Sequence, residues 1–111
     1  MILRLYSGDD GQSHFEEFQP PMGPVENSPM QAATGITFRS SEPGEFLDFH
    51  VAPRPQYVIT LTGYVEIGLG DGTVKRLGPG DVMLAEDLTG KGHTTRIVGD
   101  QTRLSVAIPL A

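Results

Sequence analysis

The sequence predicts an all-β domain, and three observations carry that expectation. The 111 residues include 14 Gly and 9 Pro. These breakers are spread along the whole chain, and no stretch free of both exceeds nine residues, the longest being Asp81–Thr89 and Asp100–Ile108. An average helix needs about 11–12 uninterrupted residues, so helices have almost no room, while short strands do. Between the breakers, apolar and polar residues alternate with the period of a strand.

Each element follows from its local pattern. Met1 to Leu5 alternates, and Ser7-Gly8-Asp9-Asp10-Gly11 turns the chain. Ser13 to Phe18 reads as a strand with Phe15 out of phase. Gln19 to Thr34 holds four Pro and one Gly without periodicity, which predicts an extended arm on the domain surface. Gly35 to Ser40 alternates cleanly and ends in the turn Ser41-Glu42-Pro43-Gly44. Phe46 to Val51 is a short strand stopped by Pro53 and Pro55. Gln56 to Thr62 is β-branched and ends at Gly63. Tyr64–Leu69 and Thr73–Leu77 flank Gly70-Asp71-Gly72, a strong hairpin signal. Gly78-Pro79-Gly80-Asp81 makes a second tight turn before Val82–Ala85. Glu86 to Gly92 is polar and loop-like, and His93 to Val98 alternates again. Gln101 to Leu110 closes the chain with Leu104, Val106 and Ile108 on one face. Eight or more short strands at this spacing favour a sandwich or closed barrel.

Length allows one domain and one core. Residues 1–34 form an N-terminal strand with the proline-rich arm, and residues 35–110 the barrel. With 14 acidic against 8 basic residues and a formal charge of -6, a nucleic-acid surface is not expected, because it needs clustered cations. The absence of Cys excludes disulfides, thiolate zinc sites and a thiol nucleophile. Met1 to Asp10 does not read as a secretory signal, and no apolar run approaches the ~20 residues of a membrane span. A soluble cytoplasmic domain is the expectation. Gly90-Lys91-Gly92 lacks the flanking strand and helix of a phosphate loop and reads as a turn.

From His50 to His93 the chain resembles the cupin superfamily, small double-stranded β-helix or jelly-roll barrels of the RmlC-like kind. The first motif of that family has two His separated by one residue, then a Glu and a closing Gly. Here His50 and Gly63 stand at its ends, with Ala52 at the second His and Gln56 at the Glu. The second motif begins at Gly80-Asp81 and ends at His93. Glu86 stands where a Pro is usual, and the last loop is about two residues longer. The resemblance covers residues 35–110 and implies a cupin barrel.

It also implies a divalent metal (Zn, Ni, Mn or Fe) held by His50, Gln56 and His93. Two imidazoles and a neutral amide would bind more weakly than the family's full set, because no ligand neutralises charge. The other reading has both His buried and hydrogen-bonded around a metal-free interior. Gln56 is equally readable as a ligand, a donor to substrate or a partner for a barrel neighbour. If His50 and Gln56 point inward, alternation puts Asp48, Val58 and Thr60 on the same side. Glu86 and Asp87 are candidate catalytic residues, one of them facing the cavity as a general base; a solvated acidic loop is the alternative. His14 reads as a surface residue, Tyr57 as pointing away from the cavity, and Arg54 and Arg96 as exposed.

The functional expectation is isomerase or lyase chemistry on a small organic molecule, with a non-catalytic metabolite-binding cupin as the alternative. The family's habit, and the need to cover sheet edges, imply a homodimer.

Overall fold

A computed structural model describes residues 1–18 and 27–111. The first part of the proline-rich arm, residues 19–26, lies outside the described residues. No helix occurs among those described, so none is long and apolar enough to cross a membrane.

Ten strands form. They are β1 (Ile2–Ser7), β2 (Ser13–Phe18), β3 (Thr37–Ser41), β4 (Phe46–His50) and β5 (Gln56–Thr62), followed by β6 (Tyr64–Gly68), β7 (Val74–Leu77), β8 (Val82–Glu86), β9 (His93–Val98) and β10 (Arg103–Pro109). One sheet runs β2-β1-β8-β5-β10-β3 and the other β4-β9-β6-β7. Among the described residues only the β1–β8 pair is parallel, with Leu3 beside Met83. The chain is all-β with its strands in two layers, as the spacing of breakers predicts.

The apolar core lies between the sheets. Leu3 and Leu5 of β1 are fully buried, and Val65, Ile67, Leu77, Met83 and Ile97 join them. Phe15 packs against this cluster from β2. Residues Ala32–Thr34 run beside the end of β10, with a bridge from Ala33 to Leu110 and a hydrogen bond from Thr34 N to Pro109 O of 2.9 Å.

Away from this core the inner face of the larger sheet changes character. On β10 the inward residues are Arg103, Ser105 and Ala107, all buried. The apolar set Leu104, Val106 and Ile108 therefore lies on the outer face. Small and polar side chains between two sheets cannot fill the space that Leu or Ile would fill. A cavity results.

Candidate functional site

The cavity has a volume of about 230 Å³, and His50, Gln56 and His93 all line it. Register brings the two histidines together. β4 and β9 are antiparallel, and His50 stands directly opposite His93, with ring centroids 4.4 Å apart. A register shift between Leu47 and His50 makes this possible: three steps on β4 match two on β9, so Leu47 and His50 both face the cavity. Such a bulge breaks alternation. The expectation that Asp48 shares the inner side is thereby overturned, while Val58 does line the cavity and Thr60 is buried on the same face.

Gly92 permits the close approach of the strand ends. Its φ is +82°, and a Cβ there would lie 2.0 Å from the carbonyl oxygen of His50. Only glycine combines that backbone with that contact.

The hydrogen bonds fix which ring nitrogens are available. His50 Nδ1 lies 2.8 Å from the carbonyl oxygen of Asp48. A carbonyl only accepts, so Nδ1 carries the proton and Nε2 keeps its lone pair. His93 Nδ1 lies 2.7 Å from Asp87 Oδ2. Ser13 Oγ donates to the same oxygen at 2.6 Å. Asp87 is fully buried and His93 is 4% exposed. His93 Nδ1 therefore donates to the carboxylate, and its Nε2 is the edge left for the cavity. With the ring centroids 4.4 Å apart, each imidazole has a lone-pair nitrogen that can accept from a ligand N–H or O–H, take up a proton or bind a cation.

The two acidic candidates do not stand on the cavity wall. Glu86 ends β8 on the outer face, where it ion-pairs with Arg4. That hydrogen bond holds the Arg4 guanidinium above its ordinary value. Asp87 sits behind His93 rather than in the cavity. Position 52, where the family's second His stands, is a buried Ala that lines the cavity, and its N–H donates to the Asp87 carbonyl at 3.0 Å.

The remaining singled-out residues lie elsewhere. His14 is at the surface, 3.0 Å from Asp10 and against the Tyr6 ring. Tyr57 faces outward beside Ile108 and Leu110. Arg54 is exposed, and Arg96 stacks over Phe46, 4.3 Å from the ring centroid. The Gly90-Lys91-Gly92 turn packs on the β1–β2 hairpin, with Lys91 N donating to Gly11 O at 2.9 Å.

Two cavity residues were not anticipated from the sequence. Arg103 is 8% exposed and lines the cavity together with Arg39. Its Nη2 donates to Thr60 Oγ1 at 3.0 Å, while its buried Nε finds no partner among the described residues. Burial, with a smaller effect from the Arg39 charge, pulls the Arg103 guanidinium down to about 10, so it stays cationic at neutral pH. The signal was present: Arg103 is in phase with Ser105 and Ala107, opposite the apolar face of its strand.

The residues suit a metal in kind. Two imidazoles with committed Nδ1 atoms, one backed by a buried carboxylate, are the usual second-sphere arrangement of His ligands. Charge is the weak point. Among the described residues no three His, Cys, Asp or Glu are placed so that they could hold a metal ion together, and two guanidiniums share the cavity.

No family model matches the sequence, and no curated protein does. Solved structures do resemble it. An uncharacterized conserved protein with a double-stranded β-helix domain from Klebsiella pneumoniae aligns at 21% identity with a TM-score of 0.54, covering 80% of this chain and 77% of that one. A conserved protein of unknown function from Streptococcus pyogenes aligns at 21% identity and a TM-score of 0.54, covering 74% and 68%. An RmlC-like cupin from Desulfovibrio desulfuricans aligns at 18% identity and a TM-score of 0.50, covering 83% and 97%. At these identities the likeness shows the fold: this chain is a double-stranded β-helix of the cupin kind.

Proposed function

We propose that the barrel cavity takes up a small organic molecule and that His93, oriented by Asp87, moves a proton on it in isomerase- or lyase-type chemistry. The observation that carries this reading is the buried Ser13–Asp87–His93 chain. The carboxylate holds the imidazole in one tautomer, keeps Nε2 as a base toward the cavity and stabilises the imidazolium that forms when Nε2 takes up a proton. No Asp or Glu lines the cavity among the described residues, so the imidazoles are the candidates there for taking up a proton. Gln56, buried at 7% exposure, offers an amide to a carbonyl or hydroxyl of the bound molecule.

The test is proton exchange in deuterium oxide, followed by NMR on a panel of small carbonyl compounds. Exchange at the carbon beside the carbonyl is expected with the wild type. It should be lost in His93→Gln and slowed in Asp87→Asn. Wild-type exchange in His93→Gln would refute the role of His93, and binding without exchange would favour a metabolite-binding domain.

The closeness of the two imidazole rings, with centroids 4.4 Å apart, favours a second reading, with a divalent ion held by His50, His93 and Gln56. When bound, such an ion would supply Lewis acidity toward a carbonyl oxygen. Elemental analysis of protein purified without a tag separates the two: stoichiometric metal supports the second, metal-free protein the first.

A further inference from the structure

We infer that the molecule bound in the cavity is a small carboxylate, its anionic group held by Arg103 with Arg39 beside it. This deepens the reading of the cavity as a small-molecule site and depends on it, although not on the proton-transfer step. Arg103 is more than nine-tenths buried, and Thr60 Oγ1 is its one hydrogen-bond partner among the described residues. A guanidinium has five N–H donors, and a buried cation without a counter-charge is costly. Here the other charged side chain on the cavity wall is a second cation, Arg39, and no carboxylate ion-pairs with Arg103 among the described residues. Arg39 lies on β3 opposite Ser105, one inward position along from Arg103, and both line the cavity. Two like charges at one end of a partly enclosed space leave a place for an anion.

The adjoining cleft contains one acidic residue, Glu45, whose carboxylate is taken up by the backbone N–H of Glu42. It forms no ion pair with either arginine.

Shape and size narrow the class. The planar fork of Arg103 matches a carboxylate with two parallel hydrogen bonds. A space of about 230 Å³ is below the ~300–1,000 Å³ of drug-sized pockets and corresponds to roughly seven or eight waters. The occupant is therefore an acid of a few carbons. Its carboxylate points to Arg103, and its other end lies toward His50, Gln56 and His93.

The experiment is isothermal titration of the full chain with malonate, malonamide and inorganic phosphate in carboxylate-free buffer. Malonate is expected to bind and malonamide to bind at least about 10-fold more weakly, the loss of charge-assisted hydrogen bonds. Arg103→Met should weaken malonate by a similar factor and Arg39→Gln by less. Arg103→Met should also melt no lower than the wild type without ligand, because it removes an unpaired buried charge; this shows that lost binding is not unfolding. The titration reads binding without turnover, so malonate affinity that depends on Arg103 stands even where no deuterium exchange is seen and the proton-transfer reading fails. Absence of malonate binding, equal binding of malonamide, tighter binding of phosphate, or unchanged affinity in Arg103→Met would each overturn the inference.

Discussion

Replacing Asp87 with alanine removes the acceptor shared by two buried donors. Ser13 Oγ and His93 Nδ1 converge on Oδ2 at 2.6 and 2.7 Å, and their residues are 2% and 4% exposed. Water has little access to replace the lost oxygen, so each donor is left unsatisfied at about 1–3 kcal/mol. Part of this is offset, because the carboxylate no longer has to be desolvated and its Oδ1 is already without a partner. A net loss of about 3–4 kcal/mol follows. For a domain of this size each kcal/mol moves the melting point by roughly 3–6 °C, so Asp87→Ala should melt on the order of 10–20 °C lower. Asp87→Asn keeps the shape and one acceptor oxygen and loses only the charge assistance, about 1–2 kcal/mol. The assay is urea and thermal denaturation of wild type, Asp87→Ala and Asp87→Asn, with 15N NMR of the His93 ring to read its tautomer. An Asp87→Ala protein melting within about 1 °C of wild type would refute the role of Asp87 as a buried hub. A wild-type His93 with its proton on Nε2 would do the same for the orientation argument.

Four further outcomes are expected. Gly92→Ala should destabilise by more than about 2 kcal/mol in chemical denaturation, since its Cβ would meet the His50 carbonyl oxygen at 2.0 Å; a neutral result would mean that the strand ends can separate freely. Gln56→Glu should tighten binding in a titration with a divalent metal above pH ~5, where an ordinary Glu is ionised, and weaker binding would show that Gln56 is not a ligand. Sedimentation should give a homodimer at micromolar concentration, because Phe38 and Ile36 are 65% and 60% exposed and Phe38 adjoins Val106 and Ile59 on the outer face of the larger sheet; Phe38→Asp should yield monomer, and a monomeric wild type would contradict the pairing. The Asp10 carboxyl is held below its usual value first by its hydrogen bond to His14, so its stabilisation is present above the unfolded value and lost as pH falls through the folded one; Asp10→Asn should flatten the fall in stability as pH drops below about 4.

Strand positions were legible because breakers and alternation act locally. Gln56–Thr62 and His93–Val98 have the predicted bounds. The His50, Gln56 and His93 constellation was legible only through the resemblance to cupin motifs, and the three residues do line one cavity. The roles of the acidic pair were not. Asp87 continues the inward phase of Met83 and Ala85, which suggests a cavity-facing carboxylate. It lies just past the end of β8, however, where Ser13, 74 residues earlier, and His93 take up its oxygen. That contact depends on how a hairpin folds across the loop, and no local pattern encodes it. Asp48 failed for a related reason: a bulge is set by the partner strand's register, and alternation assumes there is none. Arg103 was hidden by the habit of assigning the apolar face of a strand to the core, whereas the apolar face of β10 points outward.

Among the described residues, two buried side-chain atoms lack a hydrogen-bond partner, Asp87 Oδ1 and Arg103 Nε. Native interiors satisfy nearly all such atoms, and each exception costs stability. If these were random imperfections, there would be no reason for both to be tied to the cavity. Instead Arg103 lines the cavity, and Asp87 contacts it through His93. Both belong to residues that carry charge, and one is cationic while the other is anionic. A barrel built only for stability would fill this end with Leu and Ile from β10, as it does on the outer face. The inner face instead carries Arg103, Ser105 and Ala107, leaving space and an unneutralised charge together. Local rules are broken where function competes with packing. This is the physical basis for proposing the His93–Arg103 cavity as the binding site, rather than the larger surface hollow beside Tyr57, which has no charged residue on its walls among the described residues.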